Sequence, residues 1–145
     1  MNLPKKILLI DDDPLVAQLM AMLVEKFSGE HYDLEHVADY AGGLQQLLTG
    51  SYALCLLDYR LGTGDGLQLL REAKAKLCPT PVILLTGDTR EETDEAAMES
   101  GAADFIIKRD LKPEALERRV AYAITTAAAL HQLQAKGKKP GGTPA

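Results

Sequence analysis

Short apolar runs alternate with longer amphipathic stretches along this chain. Residues 7–10 are continuously apolar and stop at Asp11. Between 14 and 27, Leu15, Leu19, Met22, Leu23 and Phe27 recur at helical spacing, which predicts an amphipathic helix. Leu34 and Val37 mark a second strand, and 41–48 reads as a helix ended by Gly50-Ser51. Residues 53–57 form a third apolar run, which stops at Asp58. The next helix covers 67–77, with Leu69, Leu70, Ala73 and Leu77 on one face. Residues 81–85 are a fourth strand ending at Thr86-Gly87. An acidic helix over 91–100 is stopped by Gly101, just past its cap. Residues 105–107 are a fifth strand ending at Lys108, and 113–134 are a long closing helix.

Strands that are apolar throughout, rather than alternating, are buried on both faces. Alternation with helices therefore predicts an α/β protein with one parallel sheet and five helices on its two faces. Right-handed crossovers restrict the order of five such strands, and 2-1-3-4-5, the flavodoxin-like order, is expected. Ligands in these sheets sit beyond the carboxyl ends of the strands.

Composition narrows the picture. A length of 145 residues fits one domain, predicted over 1–134, with a Gly-, Pro- and Lys-rich tail over 135–145 read as flexible. The net charge of −5 gives no overall field for nucleic acid, so direct nucleic-acid binding is not expected. No apolar run is long enough to span a bilayer, so membrane insertion is not expected either. Two cysteines, Cys55 and Cys78, make no disulfide framework, which points to a reducing cytoplasm.

The chemistry gathers at the strand ends. The first strand delivers Asp11-Asp12-Asp13, the third Asp58, the fourth Thr86 and the fifth Lys108. Carboxylates crowded this way are unfavourable unless a cation bridges them or one takes a proton. A hard divalent ion such as Mg²⁺ suits a few carboxylates, water and a phosphoryl oxygen. Asp13 precedes Pro14 and reads as a helix cap rather than a ligand. Asp65 reads likewise as an N-cap. His31, His36 and His131 have no metal-ligand spacing and read as surface residues.

Taken together, residues 7–12, Leu56-Leu57-Asp58, Asp65-Gly66, Leu84-Leu85-Thr86-Gly87, Gly101-Ala102 and Lys108 resemble the receiver domain of bacterial two-component response regulators. The resemblance spans about 5–128. It implies that Asp58 accepts a phosphoryl group from a histidine kinase or phosphotransfer protein. It implies that Asp12 and Asp58 bind Mg²⁺ directly, Asp11 through water, and Arg60 through its backbone carbonyl. Thr86 and Lys108 would read the phosphoryl group, and Phe105 matches the aromatic switch position. The signal would leave through the fourth helix, fifth strand and fifth helix, to a downstream effector, an output domain or a second copy. The protein would thus be a phosphoacceptor rather than an enzyme with turnover on other substrates. Proline often follows the lysine in this family, but here Lys108 is followed by Arg109-Asp110.

The resemblance implies that Arg60 and Asp88, each two residues past a site residue, flank the path of an attacking water, and an ion pair between them would shield the phosphoryl group and slow hydrolysis. Leu116, Val120, Ala123, Ala127 and Leu130 keep a heptad spacing, and the later part of that seam would suit a homodimer. Two alternatives stay open from the residues alone. One is a haloacid dehalogenase-type phosphatase using Asp11 of Asp11-x-Asp13, and the other a docking module indifferent to phosphate.

Overall fold

The computed structural model describes residues 5–62, 64–87 and 91–137. Its elements run β1 (Lys5–Ile10), α1 (Pro14–Glu25), β2 (Tyr32–Val37), α2 (Tyr40–Thr49), β3 (Leu54–Asp58), β4 (Arg60–Leu61), β5 (Gly64–Asp65), α3 (Gly66–Ala75), β6 (Val82–Thr86), α4 (Glu91–Glu99), β7 (Asp104–Ile107) and α5 (Pro113–Gly137). A 3₁₀ turn, Lys108–Asp110, links β7 to α5. Five parallel strands lie in the order β2-β1-β3-β6-β7, and β4 and β5 form a separate antiparallel pair. Setting that pair aside, this is the expected 2-1-3-4-5 sheet.

Successive residues of each central strand point to opposite faces, so one strand feeds two cores. Ile7, Leu9, Leu54, Leu56, Ile83 and Leu85 meet Met20, Leu23 and Val24 of α1 and Leu116, Val120 and Ala123 of α5. Leu8, Ile10, Cys55, Leu57, Val82 and Leu84 meet Leu47 of α2, Leu69, Leu70 and Ala73 of α3 and Ala97 of α4. Burying each Leu or Ile contributes about 1.5–3 kcal/mol, so the strands are pinned in register from both sides.

Several expectations need correction. Leu15, Leu19 and Met22 are 71%, 42% and 56% exposed, so the outer face of α1, not its core face, carries them. Of the expected set, Leu23 packs inward, beside Met20 and Val24, and Phe27 packs against the same core. Leu77 does not continue α3. It lies beyond the helix end, 87% exposed, with φ 61°. There the Cys78 N–H donates to Ala73 O (3.1 Å) and the Leu77 N–H to Lys74 O (2.9 Å). This is the Schellman closure that glycine usually makes. Gly101 (φ 95°) closes α4 in the same way, as its sequence signal predicted. The final helix reaches Gly137, three residues past its expected end. Residues 138–145, and with them most of the expected tail, lie outside the described residues.

Candidate functional site

Register brings the polar groups to one edge. Ile10 pairs with Leu57, Asp58 with Leu85 and Thr86 with Ile107. One residue beyond Ile10, Asp11 therefore comes level with Asp58, and Lys108 follows directly on Ile107. Asp11 and Asp58 are 0% and 6% exposed. Thr86 is buried at the end of β6, and Asp12 is exposed at the rim. The sheet thus drives two carboxylates into an interior that disfavours charge.

Two neighbouring devices shape this edge. Asp13 caps α1, its Oδ1 accepting from the Leu15 N–H at 2.9 Å, while the Asp13 N–H donates to Asp11 Oδ1 at 2.9 Å. The cap role predicted for Asp13 holds, and Asp65 caps α3 by accepting from the Gln68 N–H at 2.7 Å. Behind Asp58, Gly66 donates to Tyr59 O at 2.6 Å and lets the backbones meet. A Cβ at Gly66 would stand 2.3 Å from the Asp58 carbonyl oxygen.

Lys108 Nζ stands 3.1 Å from Asp58 Oδ1 and 3.2 Å from Asp11 Oδ2. Burial alone would lower the lysine's pKa, but the two carboxylates outweigh it and hold the ammonium above its ordinary value. Asp58 is pushed up from 3.8 to about 6, first by burial and then by the neighbouring Asp11. Lys108 and the Arg60 N–H, 3.4 Å from Asp58 Oδ1, only partly offset this.

Ligand oxygens of Asp11, Asp12 and Asp58 all lie within 4.8 Å of one another. Three carboxylates against one ammonium leave a formal charge of −2, which a divalent cation would cancel. Lys108 meets Asp11 Oδ2 as an ion pair. That buried oxygen accepts no hydrogen bond among the described residues. An oxygen-only donor set with a buried, unsatisfied lone pair fits a hard cation.

The structure therefore brings together Asp11, Asp12, Asp58, Thr86 and Lys108. Phe105 pairs with Leu84, which puts it on the sheet face that Thr86 shares. It is half-buried against the cluster under α2, α3 and α4. Arg60 is exposed in the β4–β5 hairpin, and Asp88 lies outside the described residues, so their pairing does too. Cys55 is buried and Cys78 half-buried, both as free thiols. His36 is exposed as expected, yet its Nε2 lies 2.7 Å from the Asp11 carbonyl oxygen. Sequence reading missed that contact, because only the β1–β2 register brings the two together.

A sequence profile of the response regulator receiver domain matches residues 7–121. The regulatory protein VirG of Agrobacterium tumefaciens is 35% identical over 105 residues, covering 72% of this chain and 38% of VirG. The response regulator ArlR of Staphylococcus saprophyticus is 31% identical over 103 residues, covering 71% of this chain and 45% of ArlR. The chain spans less than half the length of these curated relatives. Among solved structures, a putative response regulator from Chloroflexus aurantiacus superposes with a TM-score of 0.75 at 26% identity, covering 85% of this chain and 99% of that one. The signal receiver domain of a putative Luxo repressor protein from Vibrio parahaemolyticus reaches 0.80 at 24% identity, over 90% and 98%, a likeness of fold.

Proposed function

The chain belongs to the response regulator receiver domain family of two-component systems, and from that premise we propose that Asp58 is its phosphoacceptor, in a pocket that binds Mg²⁺. The observation that carries this reading is the buried Asp58 carboxylate held against Asp11 and Lys108 at the carboxyl edge of the sheet.

In the proposed step, an Asp58 carboxylate oxygen attacks the phosphorus of a phosphohistidine. The new P–O bond forms as the P–N bond breaks, and the departing imidazole nitrogen takes up a proton. Asp12 and Asp58 would hold the metal directly, Asp11 through water, with the Arg60 carbonyl completing the protein ligands. Mg²⁺, when bound, neutralises the carboxylates and the negative phosphoryl oxygens. Lys108 is already poised between Asp11 and Asp58, and its ammonium would move to a phosphoryl oxygen. The Thr86 hydroxyl would donate to another, and Phe105 would repack as Thr86 moves. Arg60 at the rim, with Asp88, would slow attack by water.

A donor protein would dock over the exposed Leu15, Leu19 and Met22 of α1, an apolar patch next to the Asp12–Asp13 rim. The phosphate-dependent output would leave by α4, β7 and α5. On that side, a cavity of about 400 Å³ is lined by Phe105, Ile107, Leu111, Ala115 and Arg119. Leu130 and Leu133, exposed at the far end of α5, offer a seam to a second copy or to a further domain. We place the receiver domain over 1–134, and its setting in the cytoplasm.

The phosphatase alternative loses its footing: Asp13, the second acid of its motif, is spent capping α1. The test is intact mass after incubation with acetyl phosphate, with and without Mg²⁺. One phosphoryl group should add, only with Mg²⁺, and not to Asp58→Asn. Addition without Mg²⁺, or none with it, would overturn the reading.

A further inference from the structure

The peptide between Asp11 and Asp12 decides how those two carboxylates stand to each other. Its amide-side neighbour is secured, because the Asp11 N–H donates to Val37 O at 3.1 Å and extends the β1–β2 ladder one step past Ile10. On the carbonyl side the ladder fails. The next donor in a parallel ladder would be the Asp39 N–H, but there the chain turns to become the N-cap of α2. No backbone N–H reaches the Asp11 carbonyl among the described residues.

His36 fills the gap. Its Nε2 lies 2.7 Å from that carbonyl oxygen. A carbonyl oxygen only accepts, so Nε2 carries the hydrogen. The side chain is exposed, joins neither core cluster and has this as its one hydrogen bond among the described residues. Asp11 is thus held at three points: its N–H by Val37, its side chain by the Asp13 N–H, and its carbonyl by His36.

We infer that His36 is a positioning residue for the cation site: its Nε2–H fixes the Asp11–Asp12 peptide and so aims the Asp12 carboxylate at Asp11 and Asp58. It never touches the ion. Groups that orient ligands in this way affect metal affinity strongly, because a loose ligand must be ordered as the ion binds. The inference rests on the pocket being a Mg²⁺ site.

Three variants of the full chain test it by calorimetric titration with Mg²⁺. His36→Gln places an amide N–H at the same reach as Nε2. His36→Asn keeps a donor but ends one atom short, and His36→Leu keeps bulk and loses the donor. Mg²⁺ affinity should fall about tenfold in the Asn and Leu variants and stay within about twofold of wild type in Gln. A merely structural role would change the metal-free urea midpoint and not yield this pattern of rescue. Wild-type affinity in the Leu variant, or failure of Gln to rescue, overturns the inference while leaving the pocket reading intact. Absence of Mg²⁺ binding in the wild-type protein overturns the pocket reading itself, and the inference with it.

Discussion

Replacing Asp58 by Asn should stabilise the metal-free protein, because the side chain that would do the chemistry is a burden on the fold. Asp58 has a folded pKa of about 6 against 3.8 ordinarily. The folded state therefore holds its proton more tightly than the unfolded chain does. Stability is unaffected below about pH 4, where both states are protonated, and is lost as pH rises from there to about 6. Each pKa unit corresponds to 1.36 kcal/mol, so the loss at neutral pH is on the order of 1–3 kcal/mol. Asn has nearly the same shape and never ionises. In urea denaturation with EDTA at pH 7, a slope of about 1–3 kcal/mol/M converts this to a midpoint raised by roughly 1 M. The gap should close toward pH 4. It should also narrow when Mg²⁺ is added, since only the wild-type pocket keeps all three carboxylates. A midpoint for the Asn variant at or below wild type at pH 7, or a gap independent of pH, would refute the reasoning.

Four further predictions concern single residues. Lys108→Met removes the ammonium that offsets the carboxylates, so Asp58 should titrate higher still, and phosphorylation by acetyl phosphate should slow at least tenfold, read by intact mass. Gly66→Ala forces a Cβ against the Asp58 carbonyl and should cost about 1–3 kcal/mol in urea denaturation, with weaker Mg²⁺ binding. Leu77→Gly relieves a left-handed backbone at an exposed side chain and should raise stability by about 1 kcal/mol, measured by thermal melting. Arg60→Ala should shorten the lifetime of the phosphorylated protein severalfold, while an unchanged dephosphorylation rate would remove Arg60 from the rim role.

The site was legible because burial and charge change abruptly at each strand end. A run such as Leu54 to Leu57, enclosed on both faces, has no physical reason to end in a carboxylate unless that carboxylate works. The same logic exposed Asp11 and Lys108. Helix α1 was less legible, since it carries apolar residues on two sides. Leu15, Leu19 and Met22 keep helical spacing as well as Met20, Leu23 and Val24 do, and only tertiary packing decides which set turns inward. Leu77 continued a helical face on paper, but the chain closes α3 with a left-handed residue that is not glycine. The β4–β5 hairpin is too short to leave a pattern. His36 gave no signal, because its bond to Asp11 joins residues 25 apart through strand register alone.

The central claim is that the phosphoryl group goes onto Asp58, and borohydride trapping tests it most directly. The protein is incubated with acetyl phosphate and Mg²⁺, then reduced with borohydride, which converts an aspartyl phosphate to homoserine, and mapped by peptide mass spectrometry. Homoserine at position 58 alone is the expected result. Homoserine at Asp11 or Asp12, or at no aspartate despite an added phosphoryl group, would contradict it.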